Sequence, residues 1–186
     1  MMAEFDEALA VSWDAVPPAE AGSTGMARGH LGEGWHIGNA INGGVLMALA
    51  TSTASEVLAA VGHGDPLTWS AHFLSAATAG PVEVHVEVLR VGRGVSTATV
   101  RVVQPGEGGP LERVRVTGTF GTLDRAAPVH RAPAPPAMPK PDACVPARRD
   151  SSPVAGPIVL LDQLAARLGP TAVGFAGGRP PRRGVI

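Results

Sequence analysis

Asn42-Gly43-Gly44 stands directly before the apolar run Val45 to Val61, and these residue types suit an oxygen that is gaining negative charge. Two adjacent glycines form helix poorly, so their place in a first turn needs a reason. One reason is access, because without Cβ atoms the opening amides of the helix can touch a ligand directly. Those amides are unpaired donors at the positive end of the helix macrodipole, which favours an oxyanion or a polarised carbonyl. Close packing of helix on sheet explains the same glycines equally well. Asn42 can donate its side-chain amide to a carbonyl oxygen or a water, although a simple N-cap would spend that side chain on the backbone. Asn42, Gly43 and Gly44 are the candidate catalytic residues, with Val45 beside them as a candidate ligand contact.

Two histidines join the candidate contacts. His36 sits beside the helix entrance in sequence. His72 is weaker, since it alternates with Leu67, Trp69, Ala71 and Phe73 and so points away from the helix, toward solvent or an interface. His30, His63, His85 and His130 fall on polar faces or loops and read as surface. No His/Cys/Asp grouping has metal-ligand spacing, so neither a metal nor a cofactor is expected. A G-x-S-x-G elbow is absent, which disfavours a serine hydrolase. Neither Gly92-Arg93-Gly94 nor the glycines at 106–109 precede a helix, as a nucleotide-binding loop would require. Cys144 lies among prolines, a poor place to activate a thiolate.

The elements that must position these residues can be read from periodicity. Leu46, Leu49, Ala50, Thr53, Ala54, Val57, Leu58 and Val61 recur at three- and four-residue steps. With Asn42 as N-cap and Gly62 as C′ glycine, they predict a helix of about 28 Å. After Pro66 the period becomes two. Residues 67–74, Val82 to Val88, Val95 to Gln104 and a fourth segment follow. In that fourth segment Val114, Val116 and Phe120 alternate with Arg113, Arg115, Thr117 and Thr119. Met26 to Trp35 adds an upstream strand, and Phe5 to Val11 a short helix or strand. One-sided alternation implies an antiparallel sheet with one buried face. The predicted fold is α+β: a hotdog, in which an antiparallel meander wraps around one long central helix.

The bulk numbers set the class. The chain has 186 residues, 45% of them hydrophobic, 17% charged, with a net charge of −1. That describes a globular protein with a real core and gives no reason to expect nucleic acid or an anionic membrane as partner. No stretch of 18 apolar residues occurs, because polar residues interrupt Val45–Val61. One cysteine and an acidic N-terminus without a basic, apolar leader predict a cytoplasmic protein. Residues 1–125 form the expected hotdog domain, 126–157 a Pro-rich linker, and 158–186 the beginning of an incomplete second hotdog.

Taken together, these segments resemble the thioesterase-like superfamily, whose acyl-CoA thioesterases join two hotdog halves in one polypeptide. The resemblance rests on Trp35-His36-Ile37-Gly38, on Asn42-Gly43-Gly44 opening the helix, and on Ser70-Ala71-His72-Phe73-Leu74. It extends through Gly80-Pro81-Val82-Glu83-Val84, Val88 to Thr97 and the connector Pro136 to Asp142, covering about residues 5–180. It implies a strand at Ile158–Leu168, although the leucine spacing there also suits a helix. It also implies that the catalytic carboxylate is an aspartate at the N-terminus of the second half's helix, which this sequence does not reach.

The resemblance further implies hydrolysis of an acyl-CoA or other acyl thioester by activated water, with an oxyanion site at the helix N-terminus; His36, Val45 and His72 are the candidate substrate contacts read from position alone. Arg90, Arg93 and Arg101 become candidate partners for coenzyme A phosphates. The alternative is a non-catalytic hotdog that binds an acyl group or a partner and lacks the carboxylate. An enoyl-thioester hydratase on this fold would need an Asp/His pair that is not found. A homodimer pairing the 67–122 sheets is expected if no second unit completes the ligand groove.

Overall fold

Three- and four-residue spacing of apolar side chains produces one 17-residue helix, Gly43–Ala59, and the expected stripe from Leu46 to Leu58 is buried throughout. Val45 joins the buried set, while Val61 falls past the helix end and is half-buried. The computed structural model describes residues 4–15, 19–126, 133–134, 137–148 and 158–170. In chain order its elements are α1 (Glu4–Ala8), β1 (Val11–Trp13), β2 (Thr24–Leu31), β3 (His36–Ile37), β4 (Ala40–Ile41) and α2 (Gly43–Ala59). These are followed by β5 (Asp65–Phe73), β6 (Gly80–Val91), β7 (Val95–Gly106), β8 (Gly109–Gly121), β9 (Val145–Pro146), α3 (Leu160–Gln163) and β10 (Arg167–Leu168). The chain divides into two units, one of residues 1–33 and 40–125, the other of residues 34–39 and 126–186.

In the first unit an antiparallel six-stranded sheet runs in the order β1-β2-β6-β7-β8-β5 and packs its apolar face on α2. Cross-strand register makes that face continuous. Ala27 pairs with Val84, Val84 with Val102 and Val102 with Val114, and all four are fully buried. The opposite face carries the rung Met26, His85, Arg101, Arg115 and His72, polar in all but its first member. Period-two alternation thus becomes a helix-facing and a solvent-facing surface, the hotdog arrangement. At the far end of α2, Gly62 takes φ +79° and His63 N–H returns to Leu58 O, closing the helix as a C′ glycine should.

The strand order corrects the expected meander. Of the four strands after α2, β6, β7 and β8 are consecutive neighbours, whereas β5 pairs with β8 at the sheet's edge. Pro66 has no amide to contribute to a ladder, which suits an edge and not a central strand. The edge position also leaves Leu67 and Phe73 exposed, although their alternation pointed inward. A second correction concerns Arg113, expected on the polar face but only 9% exposed. The register between β7 and β8 shifts after Val102, so Arg113 is an extra, bulged residue turned inward.

The second unit, taken by itself, contains β3 and a short antiparallel pair, Val145 with Leu168 and Pro146 with Arg167. The strand expected across Ile158–Leu168 shrinks to its last two residues. The leucine spacing instead gives one helical turn, ended at Leu164 by an extended backbone. Much of the Pro-rich 126–157 segment, His130, and everything from Thr171 onward lie outside the described residues. No helix among the described residues is long and apolar enough to cross a membrane.

Leu49 is 1% exposed on the buried stripe of α2. Leu49→Ala is expected to lower unfolding free energy by about 2–5 kcal/mol, read from denaturant midpoints at constant m-value.

Candidate functional site

Asn42 adopts φ −55°, ψ 131°, outside the helical region, and begins α2 as its N-cap. Its Oδ1 accepts from Gly44 N at 2.8 Å, and its carbonyl accepts from Val45 N at 3.1 Å. Two of the three amides expected to face a ligand are therefore engaged. Gly43 N–H has no partner among the described residues, and neither does the Nδ2 amide of Asn42. Both glycines meet a steric demand. A Cβ at Gly43 would lie 2.9 Å from the Phe73 ring, and one at Gly44 would lie 2.8 Å from Asn42 Oδ1. Close packing, one of the two readings of the glycine pair, is thus real, but Gly43 packs against a ring that is itself 53% exposed.

That ring belongs to a cleft of about 450 Å³ at the start of α2, lined by Ile41, Gly43, Leu46, Phe73, Leu74 and the small residues 75–77. Its walls are mostly apolar, with the Gly43 backbone and the Ser75 hydroxyl as polar exceptions. Ile41 N donates to Ala77 O at 2.9 Å, which ties the segment after β5 to the residue preceding Asn42. A free N–H at the positive helix end, facing an apolar cleft, can bind the oxygen of a carbonyl whose remainder is hydrocarbon.

The other expected residues are dispersed. Val45 is 2% exposed, so its side chain belongs to the core and its amide to the N-cap turn. His36 is half-buried in β3 of the second unit. His72 is exposed on the outer sheet face, opposite Arg115, as its alternation predicted. His63 corrects its expected surface position, being buried with Nδ1 2.7 Å from Ser96 Oγ. The helix C-terminus draws the chain inward there, so loop position misled. His30 is exposed, and His85 meets Glu83 at 3.1 Å.

Arg90, Arg93 and Arg101 are exposed. A polar cleft of about 520 Å³ on the outer sheet face includes His85, Arg101 and Arg115. Its cations are already matched. Arg115 grips Glu112 through both carboxylate oxygens at 2.7 and 2.8 Å, and Arg101 stands 4.0 Å from the same group. The hydrogen bonds from Arg115 hold the Glu112 carboxyl below its usual range, against the opposing effect of burial. Among the described residues, no three His, Cys, Asp or Glu side chains come together as metal ligands.

Sequence reasoning missed the cleft wall at Leu74-Ser75-Ala76-Ala77. Its one signal was a run of small residues after a strand, which has no periodicity to give it away.

Comparison with known proteins bears on the same residues. Residues 31–121 match the family described as the acyl-CoA thioesterase N-terminal domain. The uncharacterized proteins Rv0499 of Mycobacterium tuberculosis and Mb0510 of Mycobacterium bovis are 33% identical over 81 residues, 42% of this chain. Those 81 residues cover only 28% of either relative's length. A candidate thioesterase II from Thermobifida fusca superposes with TM-score 0.72 at 28% identity, over 96% of this chain and 61% of that one. Two more distant structures share the fold. A mutant of the phenylacetic acid degradation protein PaaI from Thermus thermophilus reaches 0.53 at 24% identity, covering 64% of this chain and 98% of that one. The protein smu.793 from Streptococcus mutans, bound to acetyl CoA, reaches 0.51 at 14%, covering 60% and 87%.

The cap bond gives Asn42 a measurable structural role. Asn42→Ala should destabilise the protein by about 1 kcal/mol, whereas Asn42→Asp, which keeps the acceptor oxygen, should melt within a few tenths of a kcal/mol of the parent.

Proposed function

We propose, from the premise that the chain belongs to the thioesterase-like, hotdog-fold superfamily, that it hydrolyses acyl-CoA or a related acyl thioester. The observation that carries this reading is the unpartnered Gly43 N–H at the mouth of an apolar cleft. In the proposed reaction the acyl chain lies along Leu46, Phe73 and Leu74. The thioester oxygen accepts from Gly43 N–H and from Asn42 Nδ2. A base from outside the cleft walls takes one proton from water as it attacks the carbonyl carbon, and the carbonyl oxygen takes up the negative charge. Collapse of the tetrahedral species breaks the C–S bond and returns that proton to the departing coenzyme A sulfur. Asn42 then has two jobs on two atoms, since Oδ1 caps the helix while Nδ2 faces substrate. A cytoplasmic setting, consistent with a single cysteine, goes with this reading.

A second reading, an acyl-binding module without turnover, is favoured by one feature. Among the described residues no carboxylate lines the cleft, so these walls offer no base to orient water. The hydrolase reading therefore assigns the base to an adjoining hotdog unit. We place that unit at the β5 edge of a second copy, because β5 ends the sheet and exposes Leu67 and Phe73 there.

Purified protein incubated with acyl-CoAs of increasing length should release free thiol. Asn42→Asp should reduce kcat roughly 10²–10³-fold with stability intact, as expected for loss of one oxyanion donor. Acyl-CoA binding with no thiol release from the parent would sink the hydrolase and leave the module. Light scattering should give twice the chain mass. A monodisperse monomer would rule out the β5-edge dimer.

A further inference from the structure

Gln104 and Arg113 are buried polar side chains, 3% and 9% exposed, that the chemistry above does not use. The bulge in β8 turns Arg113 inward, where its Nε donates to Gln104 Oε1 at 3.1 Å and its Nη1 to Ser75 Oγ at 3.3 Å. Among the described residues no carboxylate joins them. Glu112, next in the chain, has both oxygens on Arg115. A buried cation met only by neutral groups is costly, and a fold that retains one obtains something in exchange.

What it obtains is visible at Thr78. Gln104 Nε2 donates to Thr78 O at 2.8 Å and to Pro81 O at 3.3 Å, while its Oε1 accepts from Thr78 N at 3.1 Å. One side-chain amide thus holds both main-chain groups of one residue, as a neighbouring strand would. A carboxylate at 104 would pair with Arg113 but has no proton to offer the two carbonyls. The bulged Arg113 carbonyl also accepts from Leu74 N at 2.9 Å, and Ser75 Oγ donates to Glu112 O at 3.1 Å. Residues 74, 75 and 78 are therefore held from one side. Between them, Ala77 O receives Ile41 N, the residue before Asn42.

We propose that Gln104 and Arg113 are positioning residues for the cleft. They clamp the 74–78 segment and, through the bond between Ala77 and Ile41, set where Asn42 Nδ2 and Gly43 N–H stand. The inference rests on the cleft being the acyl-thioester site, and β-bulges are frequent beside sites where a side chain must be re-aimed.

Two variants of the full chain test it. Gln104→Glu supplies Arg113 with a carboxylate and so keeps the fold, but turns repulsive toward the Thr78 and Pro81 carbonyls. The double variant Gln104→Leu with Arg113→Met removes the clamp without stranding a charge, and such exchanges are often neutral for stability. In both, amide hydrogen exchange at Ile41 should accelerate at least about tenfold while the Val100 and Val102 amides stay protected, since local opening is separable from global unfolding. For thioester turnover, kcat should fall by on the order of a hundredfold with KM within a few-fold, as misplacement by about 1 Å can do. Arg113→Lys, which keeps a cationic donor, should retain more activity than Arg113→Met. Parental exchange at Ile41 in a folded double variant would overturn the clamp. Faster exchange with unchanged kcat would overturn its bearing on the site. Should the parent show no turnover at all, the exchange data still decide the clamp, and only the proposed function fails.

Discussion

The sheet buries one flank of α2, while the other flank, at Met47, Ala48, Thr51, Ser52 and Ser55, stays half-buried and Glu56 exposed. Burial of Leu46, Leu49, Ala50, Ala54, Val57 and Leu58 against β5 to β8 is the constraint from which the other features follow. It requires strands of 12 and 13 residues in β6, β7 and β8, long enough to run alongside the helix. It also requires one sheet face to be valine and alanine from edge to centre. Hydrophobic burial is non-directional, so it secures the packing without selecting a site for a ligand. Unpaired backbone donors and acceptors concentrate at helix ends, which is why the proposed site lies at one of them.

At the N-terminal end two requirements compete for the same amides. A stable start needs a cap, and Asn42 provides it by accepting from Gly44 and, through its carbonyl, from Val45. A ligand site needs donors left over. The compromise leaves Gly43 N–H and Asn42 Nδ2, one backbone donor and one side-chain donor side by side. An aspartate would cap equally well but would bring negative charge to a place suited to an oxyanion. Serine would cap and offer only a hydroxyl. Asparagine alone among the common caps presents an acceptor and a firm donor together.

The cleft beside those donors is walled by a segment with no regular structure, and such segments are held by specific bonds or not at all. Here a buried amide and a guanidinium hold it from within the sheet. Directional polar groups thus locate a loop that apolar packing alone would leave free to slide. The outer face follows a different rule, with Arg101, Arg115 and Glu112 matching one another in reach of solvent, where such pairs add little.

Much of this was legible in the chain itself. The helix, its cap, its C′ glycine and the two faces of β6 come from short-range periodicity and backbone preference, which neighbouring residues determine among themselves. The glycine pair does open α2, and tertiary packing separates Gly43, which lies against Phe73, from Gly44, which makes room for the cap oxygen. Other features escaped. The edge placement of β5, the inward turn of Arg113 and the burial of His63 each depend on partners far away in sequence or on a register shift. A one-residue bulge reverses every inference drawn from alternation, and nothing local announces it. Spacing along the chain therefore determined which elements form and which faces are apolar. Strand order, the cleft wall and the clamp behind it were settled by tertiary pairing, because hydrogen-bond register between distant strands is a property of two segments and is written in neither alone.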